Sequence, residues 1–282
     1  MQGNQIIRSA ICLMLAVLSV GELPATGISP INPAFLRWQK THRLNRIVRP
    51  SVTNEQKKVR KLLAAPAQPV QMEDSGLIPT VFNAAYLGNI NRSRVRGVGT
   101  VYPAKYDLRE EGFVSPVRNQ SPYGTCWAHA TYGSLESSLM KSEGLVLDFS
   151  ENNLANLHGG DWDFDIGGNG DLASAYLLRW SGPALESEDA YPNIGGSRVL
   201  SPFRHVQNVR WILPKKVYLD NDGIKDALMK YGALYVSYYH DAGWYNASTA
   251  SYYLGVVQKD VDDTRANNHA VTLVGWDDNY PR

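Results

Sequence analysis

Pro116-Val117-Arg118-Asn119-Gln120-Ser121-Pro122-Tyr123-Gly124-Thr125-Cys126-Trp127-Ala128-His129-Ala130-Thr131 is the stretch around which the rest of the chain is read. A glutamine stands six residues ahead of a cysteine, with a Pro/Gly turn between them. After the cysteine, Cys126, Ala130, Gly133, Leu135 and Leu139 form one stripe, so the spacing predicts a helix from Cys126 to about Glu143, closed by Gly144. A thiol at a helix N-terminus meets unpaired backbone N–H groups and the positive end of the helix dipole, and both favour the thiolate. Cys126 is therefore a candidate nucleophile.

Counting cysteines points the same way. There are two, and Cys12 lies inside the short apolar run Ser9–Val20, which follows a single cation in Met1–Arg8 and precedes small residues. That is the layout of a signal peptide over residues 1–21, too short for a bilayer span of ~20 residues. Its removal leaves Cys126 without a possible disulfide partner and leaves no stable membrane span. The expected location is secreted or in the cell envelope, and the lack of disulfides suits a bacterial exported protein.

With 282 residues, 44% apolar and 20% charged, the chain can bury a large core. Its net charge of +1 hides a split. Residues 22–100 carry twelve Lys/Arg against four Asp/Glu, a net of +8, whereas residues 101–282 carry fifteen against twenty-three, a net of −8. Such asymmetry predicts that the basic segment lies on the acidic one. No nucleic-acid-binding motif accompanies the basic segment, so no nucleic-acid partner is expected. Residues 30–100 are rich in Pro, Arg and Asn, with a possible helix from Thr53 to Ala65, and Asn91–Gly99 is a basic, Gly-bearing linker of the kind proteases nick.

Gln120, the Gly124 turn and Cys126-Trp127-Ala128 together resemble the active-site segment of papain-like cysteine peptidases. Pro103–Arg109 resembles the opening of the mature enzyme in bacterial members, which makes residues 22–100 a prosegment. Leu147–Leu154 resembles a further family segment, and Ser150 followed by Asn153 predicts a helix start. Ser187-Glu188-Asp189-Ala190-Tyr191-Pro192 resembles a family turn. The sequence departs at Tyr123, where the family usually has a second cysteine.

The resemblance implies that the Gly-rich run His158–Asp171 walls a substrate cleft, with Gly167, Gly168 and Gly170 allowing close backbone approach. Leu172 would line an apolar subsite. The alternating aspartates of that run also suit calcium, but the glycine comes one place late and no glutamate closes the loop, so no metal and no cofactor is expected.

From Val206 the pattern changes to β-like runs at Val206–Leu213, Ala233–Tyr239, Tyr252–Val257 and His269–Trp276, with a helix near Asn221–Tyr231. The fold class is α+β. The resemblance implies a papain-like two-lobed fold, with a helical lobe over 101–205 and a β-barrel-like lobe over 206–282.

His269 opens a β-branched run 143 residues after Cys126, a spacing that suits papain-like enzymes, and is the expected catalytic base. It would take the thiol proton and later protonate the leaving amine. His129 is a rival three residues from the cysteine, but its Cβ points towards the helix N-terminus and tucks it beneath the turn. His158, His205 and His240 read as structural or surface residues. By resemblance, Gln120 and the Cys126 backbone N–H form the oxyanion hole.

The family continues to an Asn-Ser-Trp segment that orients the histidine, whereas this sequence stops at Arg282. The expectation is a chain truncated before that segment, either as a fragment or as a shortened protein with damaged catalysis and an exposed sheet edge. The expected function is that of an exported zymogen of a cysteine endopeptidase, acting on polypeptide substrates through an acyl-enzyme, with its own prosegment as partner. The alternatives are a non-catalytic binding or surface protein on the same scaffold, and a Cys-His acyltransferase.

Overall fold

The computed structural model describes residues 32–41, 76–80, 101–160, 163–212, 220–253 and 267–280. The expected signal peptide, the Thr53–Ala65 helix and the Asn91–Gly99 linker lie outside the described residues. Helix α1 (Pro33–Thr41) precedes strand β1 (Lys105–Asp107). Helices α2 (Cys126–Glu143), α3 (Glu151–Leu157), α4 (Gly170–Leu178) and α5 (Asp222–Tyr231) follow, then strand β2 (Leu234–Tyr238). A 3₁₀ turn at Ala242–Trp244 leads to β3 (Tyr245–Asn246), β4 (Ser251–Tyr252), β5 (His269–Leu273) and β6 (Gly275–Asp277).

α2 runs over the residues its periodicity predicts. Gly144 ends it in the left-handed region at φ 68°, its N–H reaching Met140 O at 3.1 Å. The single-stripe expectation is too narrow, because Trp127, Ala128, Thr131 and Tyr132 are buried beside Cys126 and Ala130. The reason is position, for α2 is enclosed by α3, α4, α5, β2 and β5. α3 starts as predicted, Ser150 Oγ accepting from Asn153 N at 2.9 Å. At α4 the cap is Asn169, whose Oδ1 accepts from Leu172 N at 3.0 Å.

The strands form three separate antiparallel pairs, β1 with β6, β2 with β5 and β3 with β4. No closed barrel is present among the described residues. The predicted run His269–Trp276 divides into β5 and β6 at Val274, whose carbonyl accepts from Leu108 N at 2.9 Å. β1, from the segment expected to be helical, pairs with β6 and so ties the start of the 101–280 region to its end. Residues 206–212 form no strand, since Val206 packs on the helical core and its carbonyl accepts from Trp180 Nε1 at 3.1 Å.

The principal core gathers Cys126, Trp127, Tyr132, Phe149, Leu154, Phe164, Tyr176 and Ala270, so helices and β5 share it. Burying one large apolar side chain is worth about 1.5–3 kcal/mol, and this cluster supplies much of the fold's stability. β5 lies directly on α2 at Gly133, where a Cβ would stand 2.5 Å from Thr272 Oγ1. That close approach brings the start of β5 beside the N-terminus of α2.

Candidate active site

The turn before α2 is closed by its own polar groups. Tyr123 N donates to Gln120 O at 3.0 Å, Thr125 N donates to Tyr123 O at 2.9 Å, and Gln120 Nε2 donates to the same Tyr123 carbonyl at 3.0 Å. This chain of bonds delivers Cys126 to the first position of the helix with 1% of its surface exposed. Burial pushes the Cys126 thiol up to about 12, while the backbone N–H groups of Ala270 and Trp127 bond the sulfur and pull the other way.

His269 is the first residue of β5, opposite Tyr238 in register. Its ring lies edge-on to Tyr238 at 5.7 Å and tilted to His240 at 5.5 Å between centroids. Nδ1 is buried with no hydrogen-bond partner among the described residues. Burial, and then the His240 ring, holds His269 down at about 4. Ala270, the residue after His269, bonds the Cys126 sulfur through its N–H, so the two side chains lie in one region, where burial disfavours the charged form of each.

His129 sits where its Cβ direction predicts, its Nδ1 3.0 Å from Thr125 O and its ring edge-on to Tyr191 at 4.9 Å. Burial lowers it to about 4. It faces the underside of the turn.

The glycine run forms a wall against Trp127 and an extended piece of chain. A Cβ on Gly168 would lie 2.2 Å from Trp127 Cε2, so nothing larger fits without moving the indole. Gly168 N donates to Gly76 O and Ile78 N to Gly168 O, both at 2.8 Å, as a parallel bridge pairs Leu77 with Gly168. Leu77 N reaches across to Asn268 O at 3.3 Å, and Asn169 Nδ2 donates to Pro79 O at 3.3 Å. Residues 76–80 therefore lie along the wall and touch the segment just before His269.

Gly76 is pressed on the nucleophile turn, for a Cβ there would fall 2.1 Å from Gly124 O, and its φ is +87°. Gly167, at φ +112°, meets Gly76 O in the same way. Leu172, half-buried on α4, packs against the core cluster that also receives Leu77. Gly170 opens α4, where a Cβ would stand 3.3 Å from the half-exposed Trp211 ring.

Three contributors were not foreseen. His240 is buried beside His269, with Nδ1 2.8 Å from Tyr238 Oη and Nε2 without a partner among the described residues, while the Asn268 side chain clasps its backbone at 2.6 and 2.9 Å. Nothing local in the sequence marks it. Asp165 belongs to the aspartate run, yet its Oδ1 accepts from Gly124 N at 2.6 Å. Tyr191 belongs to the turn motif, yet its hydroxyl reaches the nucleophile segment.

Comparison with known proteins bears on this geometry. The chain is 30% identical over 175 residues to cathepsin K of Mus musculus, covering 62% of this chain and 51% of that protein. With cathepsin K of Gallus gallus it shares 32% over 203 residues, 66% of this chain and 57% of the relative. It thus spans about half the length of the curated relatives it matches. The crystal structure of the cysteine protease and lectin-like domains of Cwp84, a surface layer associated protein of Clostridium difficile, superposes with a TM-score of 0.56. That match covers 90% of this chain and 49% of the other at 21% identity, and it establishes a papain-like α+β fold. Residues 102–280 match the family model for papain family cysteine proteases, and the chain belongs to that family.

Proposed function

We propose that the protein is a cysteine endopeptidase made as a zymogen, with Cys126 as nucleophile, His269 as base and residues 76–80 as the plug of its own cleft. The observation that carries this reading is the extended backbone of 76–80 on the Gly168 wall, with Gly76 against the nucleophile turn and Leu77 bonded to the carbonyl before the histidine. A cleft that binds backbone through backbone suits polypeptide substrates.

The chemistry follows from the positions. His269 takes the Cys126 proton, and the thiolate attacks a peptide carbonyl to form the C–S bond. The oxyanion is met by the Cys126 backbone N–H at the helix start and by the Gln120 amide. The imidazolium then gives its proton to the leaving amine, and water, deprotonated by the same imidazole, releases the acid from the acyl-enzyme. Burial keeps the thiol at about 12 and the imidazole at about 4, which suits a plugged, uncharged site. Removing the plug returns solvent to both groups and favours the thiolate–imidazolium pair. The basic 22–100 segment and acidic remainder support a prosegment whose release salt accelerates, and the N-terminal apolar run supports export.

The test uses the full chain, alone and as Cys126→Ala, His269→Ala and Gly76→Val. Intact mass after an epoxysuccinyl peptide and hydrolysis of a fluorogenic peptide are followed across pH. The reading expects an adduct on Cys126 well below pH 8 that needs His269, hydrolysis lost by at least about 10³-fold in either site variant, and faster activation in Gly76→Val. An adduct formed only at the pH of an ordinary thiol, with no hydrolysis, would overturn it in favour of a binding protein on this scaffold.

A further inference from the structure

The geometry points to Tyr191 and Asp165 as positioning residues of the oxyanion pocket, a two-sided brace that holds the Gln120–Cys126 turn in its working shape without a covalent link. This inference rests on the peptidase reading above and adds to it two side chains that touch neither the nucleophile nor the base.

The turn carries both expected oxyanion donors, the Gln120 side chain at one end and the Cys126 N–H at the other. Its internal bonds converge on Tyr123 O. They close the loop on itself but do not hold it against the rest of the protein. Thr125 supplies no side-chain cap to α2. What anchors the two ends is Tyr191, whose hydroxyl donates to Gln120 O at 2.6 Å and lies 2.7 Å from Thr125 Oγ1. A phenol has one proton. With that proton on Gln120 O, the threonine hydroxyl donates to Tyr191, and the order of donors along the bridge is set. Burial holds the phenol up at about 12, so it remains a donor throughout the working pH range.

Thr125 is wholly buried, so leaving its hydroxyl unpaired would be costly. Tyr191 is itself held from three sides. Its backbone N–H donates to Glu186 Oε1 at 2.7 Å, and its ring packs on Phe164 at 6.0 Å and on His129 at 4.9 Å.

Asp165 grips the middle of the turn. Its Oδ1 accepts from Gly124 N at 2.6 Å, a charge-assisted bond across 41 residues of sequence. Its own carbonyl lies where a Gly124 side chain would begin, 2.6 Å from that Cβ position. After Ile166 come Gly167 and Gly168, the cleft wall, so one loop sets both the wall and the nucleophile turn. Phe164 meets the Tyr123 ring edge-on at 5.5 Å and closes the apolar side of the joint. The place at Tyr123, where the family usually carries a cysteine, is therefore stapled by packing and by the adjacent aspartate bond.

Oxyanion donors act only where they are aimed, and displacement by about 1 Å can cost about 10²-fold in rate. Alkylation by iodoacetamide needs the thiolate but no oxyanion pocket, so it separates positioning from loss of the thiol. The experiment takes the activated full-chain protein as wild type, Tyr191→Phe, Thr125→Val, Asp165→Ala and Asp165→Asn. It measures kcat and KM on a peptide substrate, the iodoacetamide rate and Tm.

The brace predicts kcat reduced about ten- to a hundredfold in Tyr191→Phe and Asp165→Ala, with KM and the iodoacetamide rate within about twofold of wild type. It predicts a smaller loss in Thr125→Val, which cuts one arm of the bridge. It also predicts partial rescue in Asp165→Asn, whose side-chain carbonyl can still accept from Gly124 N. Unchanged kcat in Tyr191→Phe and Asp165→Ala would overturn it while leaving the peptidase reading standing. Hydrolysis and alkylation falling in step would also overturn it, assigning these residues to the general fold. A wild type that alkylates normally but cleaves no peptide removes the peptidase reading and the brace with it.

Discussion

The cysteine and the histidine are housed very differently. Around Cys126 the chain is mostly buried, from Thr125, Trp127 and Tyr132 to Glu136, whose carboxylate takes Arg118 at 3.0 Å and Phe149 N at 2.9 Å, although Trp127 Nε1 and Tyr132 Oη have no hydrogen-bond partner among the described residues. Around His269 the strands are half-buried and, among the described residues, paired on one side each, and His269 Nδ1 and His240 Nε2 likewise have no partner there. Buried unsatisfied groups are costly, and surrounding structure holds them in place when function needs them. The difference teaches that the nucleophile's position is over-determined by packing, whereas the base's position depends on a few contacts to α2.

The largest effect is expected where the well-packed side is broken. Arg118→Ala leaves the Glu136 carboxylate, wholly buried, without its cation. A loss of about 3 kcal/mol follows, or a Tm lower by roughly 6–12 °C. Iodoacetamide reactivity at Cys126 should be unchanged at temperatures where the protein remains folded. A Tm shift under about 2 °C would show that this side is less rigidly determined than the packing indicates.

A smaller stability change but a clearer functional one is expected at the joint between the two sides. Gly133→Ala gains about 1 kcal/mol of helix propensity but presses on Thr272 Oγ1, so net stability falls by about 1 kcal/mol. β5 carries His269, so kcat should fall more than stability does, and Thr272→Ala in the same chain should restore it. Equal kcat in Gly133→Ala and wild type would mean that this contact does not place the base.

The buried imidazoles and the buried Glu151 carboxyl should also titrate in opposite senses. His269 and His129 are held from 6.5 down to about 4, chiefly by burial, so the folded state prefers them neutral. Their contribution is complete above pH 6.5 and is lost as pH falls towards 4. Glu151, buried behind the nucleophile helix, is raised from 4.5 to about 8 by burial, so its contribution is complete below 4.5 and is lost as pH rises towards 8. Tm against pH should therefore pass through a maximum near pH 6.5, where the imidazole contribution is complete and only the loss at Glu151 continues, the acid slope flattening in His269→Gln and the alkaline slope in Glu151→Gln. Slopes that ignore both substitutions would refute the assignment. The smallest effect is reserved for Lys105→Ala, which breaks a solvent-exposed pair with Glu110 and should leave Tm unchanged within error.

Much of this was legible in the chain. Helical spacing with Gly144 behind it located α2, Ser150 and Asn153 located the start of α3, and Gln120, Cys126 and His269 could be singled out by residue type and order. These are local signals, carried by neighbours within a few positions. The strand expected at Val206–Leu213 failed because β-branched residues also suit an extended loop whose carbonyls are taken by side chains such as Trp180. The pairing of β1 with β6 was not legible, because strand pairing is a property of distant partners.

By itself the sequence determined that a thiol would open a helix behind a glutamine-bearing turn, and that a histidine would open a strand far downstream. Only tertiary structure decided that β5 lies on Gly133, that Tyr191 and Asp165 grip the turn, and that residues 76–80 occupy the wall at Gly168. Each of these is a contact between segments tens of residues apart, selected by whichever packing satisfies the buried backbone groups, and no local pattern encodes that choice.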